Sequence, residues 1–445
     1  MKIRDIHINE FQQFKDLHLD LTYPSGHEKA GQTLNKVCFI GQSGTGKTTI
    51  LKIIKDIIFS SLIDVTSQRK IPKKAYYINA QYGDSLDEMG KFLEHSIDNV
   101  KNYFIRKNIL PIEEQTNVLL YFPAEILDIN KKIENQFSSS GFDLFATDNE
   151  VIEKIKIEKE RLSTKHSFDF SSDNPTEIWN SILFDSREYM VNELSFSQKI
   201  SKALVKNSGK ANELVNEFKK WQKENQNPFK VLAEVLNPII ERFNIRVKDD
   251  FDFDKAEDLD FIKLETIHKA VVPASKWSTG TKQIVLTAIP IYKLDTTNTV
   301  ILIDEPERSL YPDIQNEIIN YYTKLAPTAQ FFFATHSPII ASSFEPWEIV
   351  ELKFDYKKGK VFQEKYFDGK RHIDNYFINP QYLRWDSILT KVFDLKEKGN
   401  EKRIEKLMEL AALGKKIEKE KDKSKKAEIY KEYKKLSELL DWEIK

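Results

Sequence analysis

The chain has 445 residues and a mass of 52.1 kDa, room for two to four structural units at roughly 100–200 residues per domain. Its 68 basic side chains balance 69 acidic ones, so a whole-molecule polycation is excluded and any polyanion contact must be a local patch. One cysteine, Cys38, excludes a disulfide scaffold and a Cys-rich zinc site, and no apolar run reaches the length of about 18 residues that a membrane-spanning helix needs; together with a start, MKIRDIHINEF, that lacks a signal-peptide core, this reads as a soluble, cytoplasmic protein with no membrane contact.

In chain order, Ile6 and Ile8, then Leu17, Leu19 and Leu21, alternate with polar neighbours and predict a hairpin. Val37-Cys38-Phe39-Ile40 is a compact apolar run and predicts a strand buried on both faces. Ile50, Leu51, Ile53, Ile54, Ile57 and Ile58 then recur at helical spacing. Further strands are expected at 74–80 and 118–124, with a helix over roughly 84–107 between them. Residues 135–150 and 163–176 are rich in Ser, Asn and Asp, and the pattern to about 243 is helical and polar, so 131–269 reads as an inserted, mostly helical lobe. Strand signals return at 261–272, 299–303 and 331–333, with a helix through Ile314, Ile318, Ile319 and Tyr322. A hairpin is expected at 348–366 around Lys357-Lys358-Gly359, followed by a charged helical tail. The domain reading is therefore 1–130, 131–269, 270–355 and 356–445.

Gly41-Gln42-Ser43-Gly44-Thr45-Gly46-Lys47-Thr48 fits the phosphate-loop pattern G-x-x-x-x-G-K-[ST], continued by Thr49 into the helix. Glycines let backbone N–H groups curl around a phosphate without Cβ clashes. The helix behind them aims its positive end at the anion. Lys47 is expected to bridge the β- and γ-phosphates of ATP, and the Thr48 hydroxyl to offer a hard oxygen to Mg²⁺. Val300-Ile301-Leu302-Ile303-Asp304-Glu305 is an apolar strand ending in two carboxylates. Asp304 is expected to hold Mg²⁺ through water, and Glu305 to orient or deprotonate the attacking water.

The order of Gly41–Thr48, then Trp277-Ser278-Thr279-Gly280-Thr281-Lys282-Gln283, then Asp304–Pro312, then Ala334-Thr335-His336-Ser337-Pro338 resembles the ABC-type ATPase heads, in particular the SMC/RecF/OLD-like branch found in bacterial phage-defence and DNA-repair systems. The opening Ile8–Phe14 matches that branch better than a transporter, and the separation of 231 positions from Lys47 to Ser278 also fits a transporter subunit poorly. The resemblance covers about 1–130 and 270–355. It implies a P-loop NTPase head of α/β class with a mixed sheet, an inserted helical lobe and a helical tail. It implies that Ser278 and Gly280 contact the γ-phosphate held by a second subunit, that Ser309 and Leu310 open the D-loop at the dimer seam, and that His336 senses the γ-phosphate. The signature reads Ser-Thr-Gly-Thr-Lys rather than Ser-Gly-Gly-Gln, and the Q-loop residue is open between Gln81 and Glu125. Taken alone, Ser278 also reads as a helix N-cap, and Glu307 and Arg308 equally well as a surface ion pair.

The expected function is an ATPase whose heads form a homodimer around ATP and act on DNA, or as sensor and regulator of a separately encoded effector nuclease, in defence or repair. The alternative is a nucleotide-gated scaffold that restrains a toxin with little turnover. OLD-type relatives often carry a Toprim nuclease, but the 109 residues after His336 read mostly as a hairpin and charged helix, and a complete Toprim module is not expected in them. Asp250, Asp252 and Asp254 fall on one face of a strand and read as a solvated face. The scattered histidines, His18, His27, His95, His166, His268 and His372, make no ligand spacing. Lys415–Lys435 carries ten lysines against five acids. It reads as a solvated helix with i,i+4 ion pairs, with a phosphate-backbone contact as the alternative.

Overall fold

The computed structural model describes residues 2–62, 76–81, 92–95, 119–124, 162, 165, 167–173, 176–206, 209–249, 262–365, 379–393, 395 and 400–442. Glu125, the Ser/Asn-rich stretch 135–150 and the aspartates at 250, 252 and 254 lie outside these residues. The chain divides into two compact units, Met1–Tyr382 and Leu383–Lys445.

The first unit is built on an 11-stranded sheet in the order β5-β4-β1-β2-β14-β13-β3-β12-β11-β6-β7. Its strands are β1 (Lys2–Phe11), β2 (Phe14–Asp20), β3 (Lys36–Gly41), β4 (Tyr76–Gln81), β5 (Phe92–His95), β6 (Leu119–Phe122), β7 (Ser167–Asp169), β11 (Val300–Asp304), β12 (Gln330–Ala334), β13 (Ile349–Asp355) and β14 (Lys360–Glu364). The missing numbers, β8 (Ile245–Val247), β9 (Leu264–Thr266) and β10 (Val271–Val272), form a separate three-stranded antiparallel sheet.

Pattern sorts the strands. Val37–Ile40, Val300–Ile303 and Phe331–Phe333 have no polar face, and all are buried. They occupy the parallel half, where β13, β3, β12, β11, β6 and β7 run the same way. Fully burying each of these large side chains stabilises the fold by about 1.5–3 kcal/mol. The alternating sequences of β1 and β2 form the expected antiparallel hairpin in the other half, with Ile6 opposite Leu19 and Ile8 opposite Leu17. The hairpin expected at 348–366 also forms, as β13 and β14 with Asp355 opposite Lys360. Its second strand, β14, pairs with β2 as well. A boundary at 355 therefore falls between two paired strands of one sheet.

Two further expectations change. Within 84–107, read as a helix, Phe92–His95 is a strand paired antiparallel with β4; the rest of that range lies outside the described residues. Within 131–269, read as a helical lobe, Ser167–Asp169 is an edge strand of the main sheet beside β6. Three residues carry too little periodicity to announce a strand, and pairing decides it.

Helix α1 (Lys47–Leu62) follows β3 directly. The lobe contributes α2 (Thr176–Val205), α3 (Ala211–Glu224) and α4 (Pro228–Ile240). Phe196 of α2 meets Phe218 and Trp221 of α3 at ring distances of 5.5 and 5.6 Å. Asn227 caps α4 by accepting from Phe229 N at 3.0 Å. Helix α5 (Thr279–Lys293) is buried along most of its length, and α6 (Pro312–Leu325) and the short α7 (Pro338–Ala341) complete the unit. The second unit holds α8 (Trp385–Lys391), α9 (Glu401–Lys419) and α10 (Lys423–Leu439). Helices α9 and α10 pack on each other through Leu410, Leu413, Leu436 and Leu440. Among the described residues no helix is long and apolar enough to cross a membrane.

Candidate active site

Three adjacent parallel strands bring the predicted residues together. Asp304 of β11 lies opposite Ala334 of β12, and Ala334 lies opposite Phe39 of β3. The residues that follow each strand, Gly41–Thr48, Glu305–Leu310 and Thr335–Ser337, therefore leave the sheet along one carboxyl edge. This is where open α/β sheets place their ligands.

The phosphate loop exposes Gln42, Ser43 and Gly44 while burying Thr45 and Lys47. The Thr45 hydroxyl donates to Gln42 O at 2.8 Å, which tightens the loop. The Lys47 ammonium donates to Gly41 O at 2.8 Å and Gln42 O at 3.1 Å, so it is held inside the curl. Gly46 has φ +89°, and a Cβ there would overlap the Phe14 ring and the Gln13 amide. The tip of the β1–β2 hairpin thus rests on the loop, which gives the opening Ile8–Phe14 segment a place at this site.

Thr48, at the start of α1, donates its hydroxyl to Asp304 Oδ1 at 3.1 Å. That contact joins residues 256 positions apart. Two hard oxygens converge there, a fit for Mg²⁺. Among the described residues no group of three or more His, Cys, Asp or Glu side chains could hold a metal. A cation at Thr48 and Asp304 would complete its shell with water or phosphate oxygens, as Mg²⁺ usually does.

Glu305 has φ +49°, an uncommon conformation for a side chain of its size. Neighbours fix it there: its N–H donates to Ala334 O at 2.8 Å, and its carbonyl accepts from Gln283 Nε2 at 3.1 Å. Gln283 belongs to α5, whose N-terminus is capped by Ser278, the hydroxyl accepting from Thr281 N at 3.1 Å. The N-cap reading of Ser278 is therefore met, and it is compatible with a role at a seam. A Cβ on Gly280 would come within 2.5 Å of Ser309 O, so the Ser-Thr-Gly turn packs directly on the segment that follows the acidic pair. Ser309 itself has φ +59°.

Glu307, which could equally have formed a surface ion pair with Arg308, turns its carboxylate inward instead. Its Oε1 accepts from Thr335 Oγ1 at 2.7 Å and from His336 N at 3.0 Å, while Oε2 is buried without a hydrogen-bond partner. Neighbouring Arg308 donates to Ala124 O at 2.9 Å. Glu307 thus braces the turn that carries His336. The available signal was an acid in Asp-Glu-Pro-Glu together with a Thr before the histidine, but only the β11–β12 pairing makes them neighbours. We expect Glu307→Ala to strand two donors, at about 1–3 kcal/mol, and to lower the melting temperature by several degrees. Glu307→Gln keeps an acceptor and should recover most of the loss. An unshifted melting curve for the alanine variant would remove the brace from this account.

Burial is the largest influence on the ionisable groups under the loop. Burial pushes the Lys47 ammonium down to about 8, opposed by the nearby carboxylates of Asp304, Glu305 and Glu307. Burial also raises the carboxyls of Asp304 and Glu307, against the hydrogen bonds from Thr48 and from Thr335 respectively. His336 is lowered by burial and by the Lys47 charge. Cys38, fully buried beneath the loop, is pushed well up by burial and by Glu307, and is a packing residue rather than a nucleophile.

The two Q-loop alternatives separate by topology. Gln81 ends β4, which runs antiparallel to β1 with Gln81 opposite Lys2, and four strands lie between β4 and β3 in the sheet. β6, in contrast, is the parallel neighbour of β11, with Phe122 opposite Ile303. The segment that follows β6 leaves from the same edge as Asp304, although Glu125 itself lies outside the described residues.

A model of the AAA ATPase domain family matches residues 1–341. The chain belongs to that family. No curated protein matches this AAA ATPase-domain chain. Solved structures do match, two of them SMC heads. One is the Smc head domain with an extended coiled coil bound to the C-terminal domain of ScpA from Pyrococcus furiosus, at 13% identity and TM-score 0.36, covering 81% of this chain and 95% of that one. The other is the SmcHead bound to the C-winged helix domain of ScpA, at 12% identity and TM-score 0.36, covering 82% and 97%.

Proposed function

We propose that this AAA ATPase-domain chain is an ATP-hydrolysing, ABC-type ATPase of the SMC/RecF/OLD-like kind, whose heads pair around ATP. The observation that carries this reading is the Thr48–Asp304 contact, with Glu305 and His336 leaving the same sheet edge. In this mechanism the loop N–H groups and Lys47 hold the β- and γ-phosphates. Thr48 and Asp304 hold Mg²⁺, which would neutralise phosphate charge when bound. Glu305 takes a proton from the attacking water as its oxygen bonds to the γ-phosphorus and the β–γ bridging bond breaks. His336, fixed through its backbone by Glu307, supports the water or the transferred group.

One chain offers a single set of phosphate donors. A two-fold pair supplies the second set reciprocally, each Ser278 facing the partner's nucleotide. Loss of the γ-phosphate then weakens the seam, which makes ATP a switch between joined and separate heads. The role we infer is regulation of a separately encoded effector, a nuclease or toxin, on DNA in anti-phage defence or repair. That role rests on the order of motifs in the sequence. The test is light scattering of a Glu305→Gln chain with ATP, with and without Ser278→Arg. Dimers are expected for the first protein and monomers that still bind ATP for the second. Equal dimerisation of both would remove Ser278 from the seam.

A further inference from the structure

The lysine-rich tail was open between a helix laced with ion pairs and a phosphate contact. The structure bears on that choice. The turn between α9 and α10 lies at one end of a helical hairpin whose apolar seam is closed by Leu410, Leu413, Leu436 and Leu440. All ten lysines from Lys415 to Lys435 are exposed. Among the described residues, only Lys434 of these lies within ion-pair distance of an acid, Glu438 at 4.0 Å.

The acids at the turn are otherwise engaged. Asp422 caps α10, its Oδ1 accepting from Ser424 N at 2.8 Å and Lys425 N at 3.4 Å. Glu420 Oε1 accepts from Asp422 N at 2.9 Å. The turn therefore spends its carboxylates on its own backbone and leaves Lys415, Lys416, Lys419, Lys421, Lys425 and Lys426 as solvated cations.

We propose that this hairpin end is a contact surface for the phosphate backbone of duplex nucleic acid. The chemistry favours that occupant over the other polyanions. Lysine is depleted at protein–protein interfaces, which are anchored by aromatic and Arg side chains around an apolar centre; the residues from Lys421 to Glu428 are all exposed and include no large apolar side chain. A membrane-surface helix needs large apolar side chains to insert beside its cations; the lysine-bearing turn from Lys421 to Glu428 offers none, and Leu410, Leu413, Leu436 and Leu440 close on each other. Lysines along α10 from Lys423 to Lys435 extend over about 18 Å, or about five phosphate steps of one strand. Point charges without base-reading groups predict sequence-independent binding.

This inference does not depend on hydrolysis, and its test keeps the two apart. The full chain is titrated without nucleotide against a 30-bp duplex DNA of arbitrary sequence by fluorescence anisotropy. The same titration uses a Lys419→Gln/Lys421→Gln/Lys425→Gln/Lys426→Gln variant. We expect at least tenfold weaker binding, and a salt dependence of log K that is shallower by about 3–4. ATP turnover without DNA, measured on the same preparations, should be equal in both proteins. Absence of duplex binding by the parent chain, equal affinity and salt slope in the variant, or tighter lysine-dependent binding to phosphatidylserine vesicles than to DNA would each overturn the proposal.

Discussion

Glu305→Gln should leave ATP bound and lower its hydrolysis by about two to four orders of magnitude, the usual cost of losing a positioned general base. The substitution is nearly isosteric and touches only the side chain. The two hydrogen bonds that hold residue 305 at φ +49° come from its backbone, to Ala334 O and from Gln283 Nε2, so the turn should survive. Phosphate binding by the loop, and the Thr48–Asp304 pair, are also untouched. A single-turnover assay with radiolabelled ATP separates binding from cleavage. Normal turnover by this variant would move the base to another residue and leave the phosphate site standing.

Lys47→Ala should reduce nucleotide affinity by at least about a hundredfold, since two charge-assisted contacts at about 1.5–3 kcal/mol each are lost. Isothermal titration with a slowly hydrolysed ATP analogue checks this, and wild-type affinity in the variant would refute the assignment. The fold should persist, because the ammonium bonds only to two carbonyls of its own loop. The lysine also leaves a signature in unfolding. Its folded value, about 8, lies below the usual 10.5 because it is buried. The unfolded chain therefore holds this proton more tightly, and the cost of burying the charge is full below about pH 8. It is relieved as pH rises from 8 towards 10.5. Wild-type melting temperature should gain on that of Lys47→Ala across that window, and a parallel course of the two curves would contradict it.

How far the sequence led depended on whether a signal was local. The phosphate loop, the acidic strand end and the apolar strands Val37–Ile40 and Phe331–Phe333 each announce themselves within ten residues, and the sheet edge brings them together. Hairpins were legible for the same reason, through alternation and a turn. What escaped was relational. Phe92–His95 and Ser167–Asp169 are strands because of what they pair with, and four or three residues hold no period. Glu307 and Gln283 have ordinary neighbours in the chain, and their partners lie 29 and 22 positions away. The Ser-Thr-Gly turn was readable both as a cap and as a signature because the same hydroxyl geometry begins a helix in either case.

The strand order carries a consequence for biosynthesis. β3, which delivers the phosphate loop, is flanked by β12 and β13, and Gln330 reaches back to Ile3 N at 2.6 Å and Leu34 O at 2.8 Å. As the ribosome extends the chain, the nucleotide-binding strand therefore waits for roughly three quarters of the polypeptide to emerge before either neighbour exists. Such late closure slows folding and leaves an apolar edge open to aggregation meanwhile. Fragments that stop short of β12 should accumulate as insoluble material, whatever glycines and lysine they contain.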